Sequence, residues 1–208
     1  LANPANDANA IADLFRRNGF DVVEAKTDLG NTDFKRLIRE FGAVAANADI
    51  AVLYFSGHGI DVNGVNYLLP VDAPRPDKVD KEGLKLETFA LMGMIDRIRS
   101  TGSNVQIAIV DACRDNPYAQ SGTRSIGRSG GLVEPGRRPA KGRGGFFILF
   151  SAGFGQTAAD RLDDHDREPT SVYTRMLLRK MAVEGKAITD LAREVREGRF
   201  REDLFYRL

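Results

Sequence analysis

The sequence of 208 residues has one cysteine, no tryptophan and no excess of one charge sign. A single thiol excludes intrachain disulfides and zinc sites built from several cysteines. Thirty lysines and arginines against 29 acids leave a net charge of +1, which argues against nucleic-acid binding through overall charge. No run of 18 apolar residues is present, and the first residues lack the charged and apolar regions of a signal peptide. We therefore expect no membrane contact and a cytoplasmic location.

Short apolar runs rich in β-branched residues alternate with stretches of helical periodicity. This alternation is typical of βαβ units around a mainly parallel sheet. The predicted strands are 20–25, 49–56, 104–110 and 145–151, and the predicted helices are 6–18, 32–46, 86–99, 171–183 and 188–197. The Asn63-Gly64 pair predicts a hairpin turn between two short extended segments. The length and a hydrophobic content of 42% suit one α/β domain with a sizeable core.

The segment 122–145 differs in composition from the rest of the chain. It contains eight glycines, six lysines or arginines, one acid and few apolar residues. Such a segment cannot bury enough apolar surface to order itself, so we predict a long mobile loop. Six positive charges against one negative give this loop a charge of +5, which leaves −4 on the remaining residues. The near-zero net charge is thus a cancellation between a basic loop and an acidic body.

Two residues with catalytic chemistry follow predicted buried strands. His58 follows the strand at 49–56, and Cys113 follows the strand at 104–110. The carboxyl ends of parallel strands meet along one edge of a sheet, and ligands bind there. An imidazole beside a thiol can generate the reactive thiolate near neutral pH. The sequence therefore predicts a Cys–His dyad, with an inert core cysteine and a structural histidine as the alternatives.

The segments around these two residues resemble a known family. Residues 54–59 read Tyr-Phe-Ser-Gly-His-Gly, and residues 111–117 read Asp-Ala-Cys-Arg-Asp-Asn-Pro. In this order, with the cysteine 55 positions after the histidine, they resemble the motifs of bacterial caspase-like and metacaspase-type cysteine peptidases. The resemblance covers roughly residues 2–185. It implies a caspase-like α/β fold, a three-layer sandwich with a mostly parallel central sheet and helices on both faces.

The resemblance also implies a hydrolytic mechanism. Cys113 would attack the scissile carbonyl to form a thioacyl-enzyme, and His58 would protonate the leaving amine and then activate water. The backbone N–H groups of Gly59 and Cys113 would hold the oxyanion. The resemblance thus implies a reaction without a metal or a cofactor. Calcium dependence, as in some metacaspases, is the alternative considered for Asp72 and nearby acids.

The residues predicted to set substrate specificity are expected to lie close to His58 and Cys113. Residues i and i+2 of a strand point the same way, so Ser56 shares a direction with His58 and Asp111 with Cys113. In metacaspases these two positions and an aspartate of the first helix, here Asp7, line an acidic pocket for arginine or lysine. The resemblance therefore implies peptide or protein substrates that are cleaved after basic residues. The alternative for Asp7 is compensation of its own helix dipole.

The resemblance further suggests how the chain is organised. Residues 1–185 would form the peptidase domain, with a large portion of about 1–121, the basic loop at 122–145 and a small portion at 145–185. The loop contains basic residues after which the enzyme could cut its own chain. Residues 186–208 are predicted to be a helical tail of uncertain origin, in which residues 197–208 do not resemble the usual ending of the family.

One element of the family fold has no counterpart in this sequence. The family's sheet opens with a central strand before the Asn-Pro-Ala-Asn-Asp segment at residues 3–7. That first strand would come from residues outside this sequence or from a partner fragment. The alternative function is a catalytically inactive caspase-homology scaffold that recruits a partner or nucleic acid through the basic loop. The loop lacks interleaved aromatic residues for base stacking, which argues against nucleic acid.

Overall fold

The structure, a computed structural model, describes residues 3–75, 78–113, 145–151, 161–163 and 165–183. The strands within these ranges are β1 (Ile50–Val62), β2 (Val65–Leu68), β3 (Phe89–Ala90), β4 (Val105–Cys113) and β5 (Gly145–Phe150). The helices are α1 (Pro4–Arg17), α2 (Asn31–Val44), α3 (Lys81–Glu87), α4 (Leu91–Arg99) and α5 (Val172–Val183). The predicted α/β class is therefore confirmed.

The strands form one mixed sheet with the order β3-β2-β1-β4-β5. β1 pairs with β4 and β4 with β5 in parallel, whereas β2 is antiparallel to both β1 and β3. The parallel strands carry near-continuous apolar runs, as expected when helices cover both faces of a sheet. The parallel pairing of β1 with β4 ends at His58 and Cys113.

Helices cover both faces of the sheet and give it three layers. β4 shows this most clearly, because its successive residues alternate between the faces. Val105, Ile107 and Ile109 belong to a cluster with α1 and α5 residues. Ala108 and Val110 belong to a cluster with residues of α2 and α4. Asp111, two residues after Ile109, thus lies on the face that α1 and α5 cover.

The strand predicted for 20–25 is wrong. Residues 20–27 carry no strand pairing and run beside β1 across a groove of about 420 Å³, which Phe15, Val23 and Val52 help to line. An extended segment becomes a strand only when a neighbour takes its backbone hydrogen bonds. Residues 50–58 of β1 pair with β4, and no strand among the described residues pairs with the opposite edge of this stretch. The additional strand expected from the family fold stays a prediction.

Two other segments refine the sequence-based prediction. β1 does not end before His58 but continues to Val62, where it turns into β2. Asn63 and Gly64 form this turn with φ of 54° and 80°, so the predicted hairpin is confirmed. The single helix predicted for 86–99 is wrong, because Phe89–Ala90 pairs with β2 and separates α3 from α4.

Several predictions fall on residues outside the described ranges. These are the helix at 188–197, the tail at 186–208 and the mobile loop at 122–145, except for Gly145, which begins β5. The proposed division into large and small portions also stays a prediction. Within the described part of the chain, no helix is long and apolar enough to cross a membrane.

Candidate active site

The register of β1 and β4 places the two predicted catalytic residues opposite each other. His58 and Cys113 are the last Cα partners in the parallel pairing of β1 with β4. From Gly59 onward, β1 is paired with β2. Neighbouring strands lie only about 4.8 Å apart, so the two backbones are adjacent at this point. The sequence predicted that both residues would reach the same sheet edge, and the structure places them there. Their catalytic roles stay predictions.

The backbone around His58 is fixed by β2 and by a close ring contact. The Leu69 N–H donates to the His58 carbonyl at 3.0 Å, and Gly59 is buried opposite Leu68. A Cβ at Gly57 would lie 2.8 Å from the ring of Phe55, so glycine there leaves room for that ring. The backbone N–H groups of Gly59 and Cys113 belong to residues at or next to this Cα pair. Their role in binding an oxyanion stays a prediction.

The three predicted pocket residues come together on the face covered by α1 and α5. Ser56 and Asp111 are Cα partners on β1 and β4, two residues before His58 and Cys113. The Ser56 hydroxyl donates to Asp7 Oδ2 at 2.9 Å. Asp7 has no exposed surface, and Asp111 is 6% exposed. A buried cluster with two acidic residues therefore lies directly beside the candidate dyad.

Asp7 reaches this cluster because of its position in α1. Ile11, Leu14 and Phe15 form the apolar stripe of α1 that packs against the sheet, and Asp7 lies four residues before Ile11 on the same side. Its two oxygens accept from Ser56 and from the backbone N–H of Ser171. Compensation of its own helix dipole, the alternative weighed above, does not explain these two contacts to other elements.

Ser171 and Thr174, at the start of α5, also belong to this cluster, and the sequence did not predict them. The Ser171 N–H donates to Asp7 Oδ1 at 2.8 Å, and the Ser171 hydroxyl donates to Asp111 Oδ2. The Thr174 hydroxyl contacts Asp111 Oδ2 at 3.3 Å and the Tyr54 hydroxyl at 2.7 Å. Tyr54 could have been found, because it lies two residues before Ser56 on the same strand face. Ser171 and Thr174 carry no such signal, since they lie some 60 residues beyond Asp111.

Burial dominates the electrostatics of this cluster. Loss of hydration raises the pKa of Asp7 to about 6, and the nearby Asp111 charge adds to the rise. Hydrogen bonds from Ser171 and Ser56 act in the opposite direction. Burial and the charge of Asp111 also raise the pKa of Tyr54 and of Tyr173. The cluster is thus acidic and largely shielded from water, an environment that favours a cationic group with several N–H donors.

Asp72 and His165 lie outside the acidic cluster and contact other parts of the chain. Asp72 Oδ1 accepts from the Asn31 N–H at 2.8 Å and so caps the first turn of α2. His165, the second histidine, is exposed, and its backbone N–H donates to Asp163 Oδ1. Within the described residues, no three histidine, cysteine, aspartate or glutamate side chains are grouped to hold a metal ion. Calcium dependence stays a prediction without a described ligand set.

Comparison with known proteins agrees with this architecture. Residues 1–199 match the family model of the caspase domain, peptidase family C14. The chain is 24% identical over 114 residues to the mucosa-associated lymphoid tissue lymphoma translocation protein 1 of Homo sapiens and to its Mus musculus homolog. Each match covers 55% of this chain and 13% of the relative's length, so the chain corresponds to a small part of those proteins. Because the family model spans most of the sequence, the chain belongs to the caspase-domain family of cysteine peptidases.

Proposed function

We propose that the protein is a cysteine endopeptidase that cleaves peptide bonds after arginine and lysine. The family supports the reaction class, and the acidic cluster supports the specificity. The observation that carries the proposal is the register of β1 and β4, which sets Ser56 and Asp111 two residues before the His58 and Cys113 pair. Recognition of a substrate side chain and attack on the adjacent carbonyl would thus occur at neighbouring points of the same two strands.

The proposed reaction has two steps. The Cys113 thiolate attacks the carbonyl carbon, and His58 donates a proton to the amine that leaves, which forms a thioester. Water then transfers a proton to His58 and attacks the thioester, which releases the acid and restores the Cys113 thiolate beside protonated His58. The N–H groups of Gly59 and Cys113 stabilise the negative oxygen in both tetrahedral intermediates.

The cluster favours a basic side chain for electrostatic and geometric reasons. A guanidinium presents five N–H donors in a planar fork, and each carboxylate oxygen can accept more than one hydrogen bond. Asp7 and Asp111 are buried, so a bound cation would be paired where water screens little. An acidic side chain would meet like charges and be rejected.

Matched fluorogenic peptides that differ only in the residue before the scissile bond test this specificity. Arginine, lysine, norleucine and aspartate are compared, because norleucine supplies a similar linear chain without charge. We expect kcat/KM for arginine to exceed that for norleucine by at least roughly 100-fold, with no measurable cleavage after aspartate. Equal rates for arginine and norleucine would reject the acidic pocket.

We also propose that the enzyme cuts its own basic loop. This proposal rests on the sequence alone, since residues 122–144 lie outside the described ranges. The loop offers six basic residues in a glycine-rich segment, namely Arg124, Arg128, Arg137, Arg138, Lys141 and Arg143. Such a segment suits an active site that accepts an extended chain with a basic residue.

A further inference from the structure

Ser171 connects the two acidic residues of the cluster. It is 3% exposed and lies immediately before α5. Its N–H donates to Asp7 at 2.8 Å, and its hydroxyl donates to Asp111. The same residue thus binds a carboxylate of α1 with its backbone and a carboxylate of β4 with its side chain.

The hydrogen bonding of Ser171 fixes the direction of its hydroxyl. The hydroxyl oxygen accepts the Thr174 N–H at 3.0 Å, which makes Ser171 the N-cap of α5. A hydroxyl has one proton, and the Asp111 carboxylate is the acceptor in contact with it. The positive end of the α5 dipole also faces the two acids, so the helix start favours their ionised forms.

The chain before and after Ser171 is held in place by its own contacts. Arg175 forms a two-point ion pair with Asp166 at 3.1 and 2.5 Å, and Arg175 Nε donates to the Ser171 carbonyl at 3.3 Å. The Asn6 side chain donates to the Pro169 carbonyl at 3.0 Å. Arg175 thus links Ser171 to Asp166 of the preceding loop, and Asn6 links the same loop to α1.

We propose that Ser171 is a positioning residue for the specificity pocket. It holds Asp7 and Asp111 at a fixed separation against their mutual repulsion, so that both carboxylates are oriented before a cationic side chain arrives. Preorganisation of this kind strengthens binding because the substrate does not have to order the acids itself. This inference rests on the proposed function, since it assigns how the same pocket is kept in shape.

Ser171→Ala tests the proposal, because it removes the hydroxyl and keeps the backbone N–H. We expect KM for the arginine peptide to rise roughly tenfold, with kcat and the kinetics on the norleucine peptide changed less than about twofold. Ser171→Thr restores a hydroxyl at the same place, and we expect it to recover most of the lost affinity for arginine.

Asp80→Ala serves as the matched control. Asp80 accepts the Gly83 N–H at 2.7 Å and caps α3, so its loss removes a helix cap away from the pocket. We expect this variant to lose stability without a change in the arginine-to-norleucine ratio.

The outcomes separate this inference from the proposed function. If the native enzyme shows no preference for arginine, the pocket itself is wrong. If native preference exists and Ser171→Ala keeps it within twofold, only the role of Ser171 is overturned. If Asp80→Ala lowers the arginine-to-norleucine ratio of kcat/KM as much as Ser171→Ala does, the role of Ser171 is also overturned. The effect would then follow from general destabilisation.

Discussion

Replacement of Cys113 by alanine is expected to abolish peptide hydrolysis. Cys113 is the only thiol of the chain and the Cα partner of His58, so no other side chain can form the thioester. Removal of a catalytic nucleophile lowers kcat by roughly 10⁴- to 10⁶-fold, and the residual rate comes from binding and oxyanion stabilisation. Initial rates on the arginine peptide measure this loss directly.

The same variant tests self-processing. We expect intact-mass measurement of the native protein to show a cut after a basic residue within 122–145, and the Cys113→Ala protein to remain uncut. A cut in both proteins would indicate an outside protease and would overturn the self-processing proposal.

The two histidines provide matched variants for the dyad. His58→Ala is expected to lose activity nearly as completely as Cys113→Ala, because the thiol would then lack its base and its proton donor. His165→Ala is expected to retain the native rate, since His165 is exposed in a loop outside the cluster. Native activity of either Cys113→Ala or His58→Ala would contradict the dyad. Absence of hydrolysis in the native protein would instead favour a non-catalytic caspase-homology scaffold.

Asp7→Asn is expected to stabilise the fold at neutral pH while it weakens cleavage after arginine. Burial raises the pKa of Asp7 from 3.8 to about 6, so the folded protein binds this proton more tightly than the unfolded chain. The contribution of Asp7 to stability is therefore most favourable below pH 3.8, falls as pH rises toward 6 and stays lower above that value. Asparagine removes a penalty of up to about 3 kcal/mol in the free energy of unfolding at pH 7.5.

The loss of the Asp7 charge is expected to cost roughly 10- to 150-fold in kcat/KM for the arginine peptide. The norleucine peptide does not need the charge, so its kinetics should change little. A substitution that stabilises the fold but lowers activity is typical of a functional site that holds a buried charge. Denaturant unfolding at pH 4 and pH 7.5 measures the stability of both proteins, and the two peptides measure the activity.

The pH profile separates Asp7 from the dyad. Asp7 faces Asp111 on β4, Tyr54 and Ser56 on β1, and Ser171 on α5, and the charge of Arg175 also reaches it. Native kcat/KM for arginine should fall more steeply than that for norleucine as pH decreases through about 6, because only the arginine peptide needs ionised Asp7. Asp7→Asn should remove this difference. If the profiles differ equally in native and variant proteins, Asp7 is not the titrating pocket residue.

Much of the candidate site could be predicted because it depends on strand geometry. The alternation of side chains links Ser56 to His58 and Asp111 to Cys113, and the parallel pairing of the two strands then brings all four positions together. Asp7 came from the family resemblance rather than from periodicity. Its first-turn position was equally compatible with a role in its own helix.

The remaining features depend on contacts between distant segments. Ser171 and Thr174 are ordinary hydroxyl residues until folding places the start of α5 against Asp7 and Asp111. The segment 20–25 has the composition of a strand, but within the described ranges no strand pairs with it across the groove beside β1. The predicted helix at 86–99 is interrupted because Phe89–Ala90 pairs with β2. In both cases the sheet decides against local propensity. The segment 20–25 has no strand partner in the described ranges, whereas Phe89–Ala90 finds one in β2.

Covalent labelling with two matched peptide chloromethyl ketones tests the central claim most directly. One ends in arginine and the other in aspartate, and a thiolate that attacks either reagent forms a thioether and releases chloride. We predict that the arginine reagent adds one peptide per chain at Cys113, and that the aspartate reagent adds none in the same time. Intact mass followed by peptide mapping shows the site. No adduct with arginine, or equal labelling by both reagents, would contradict an arginine-directed cysteine peptidase.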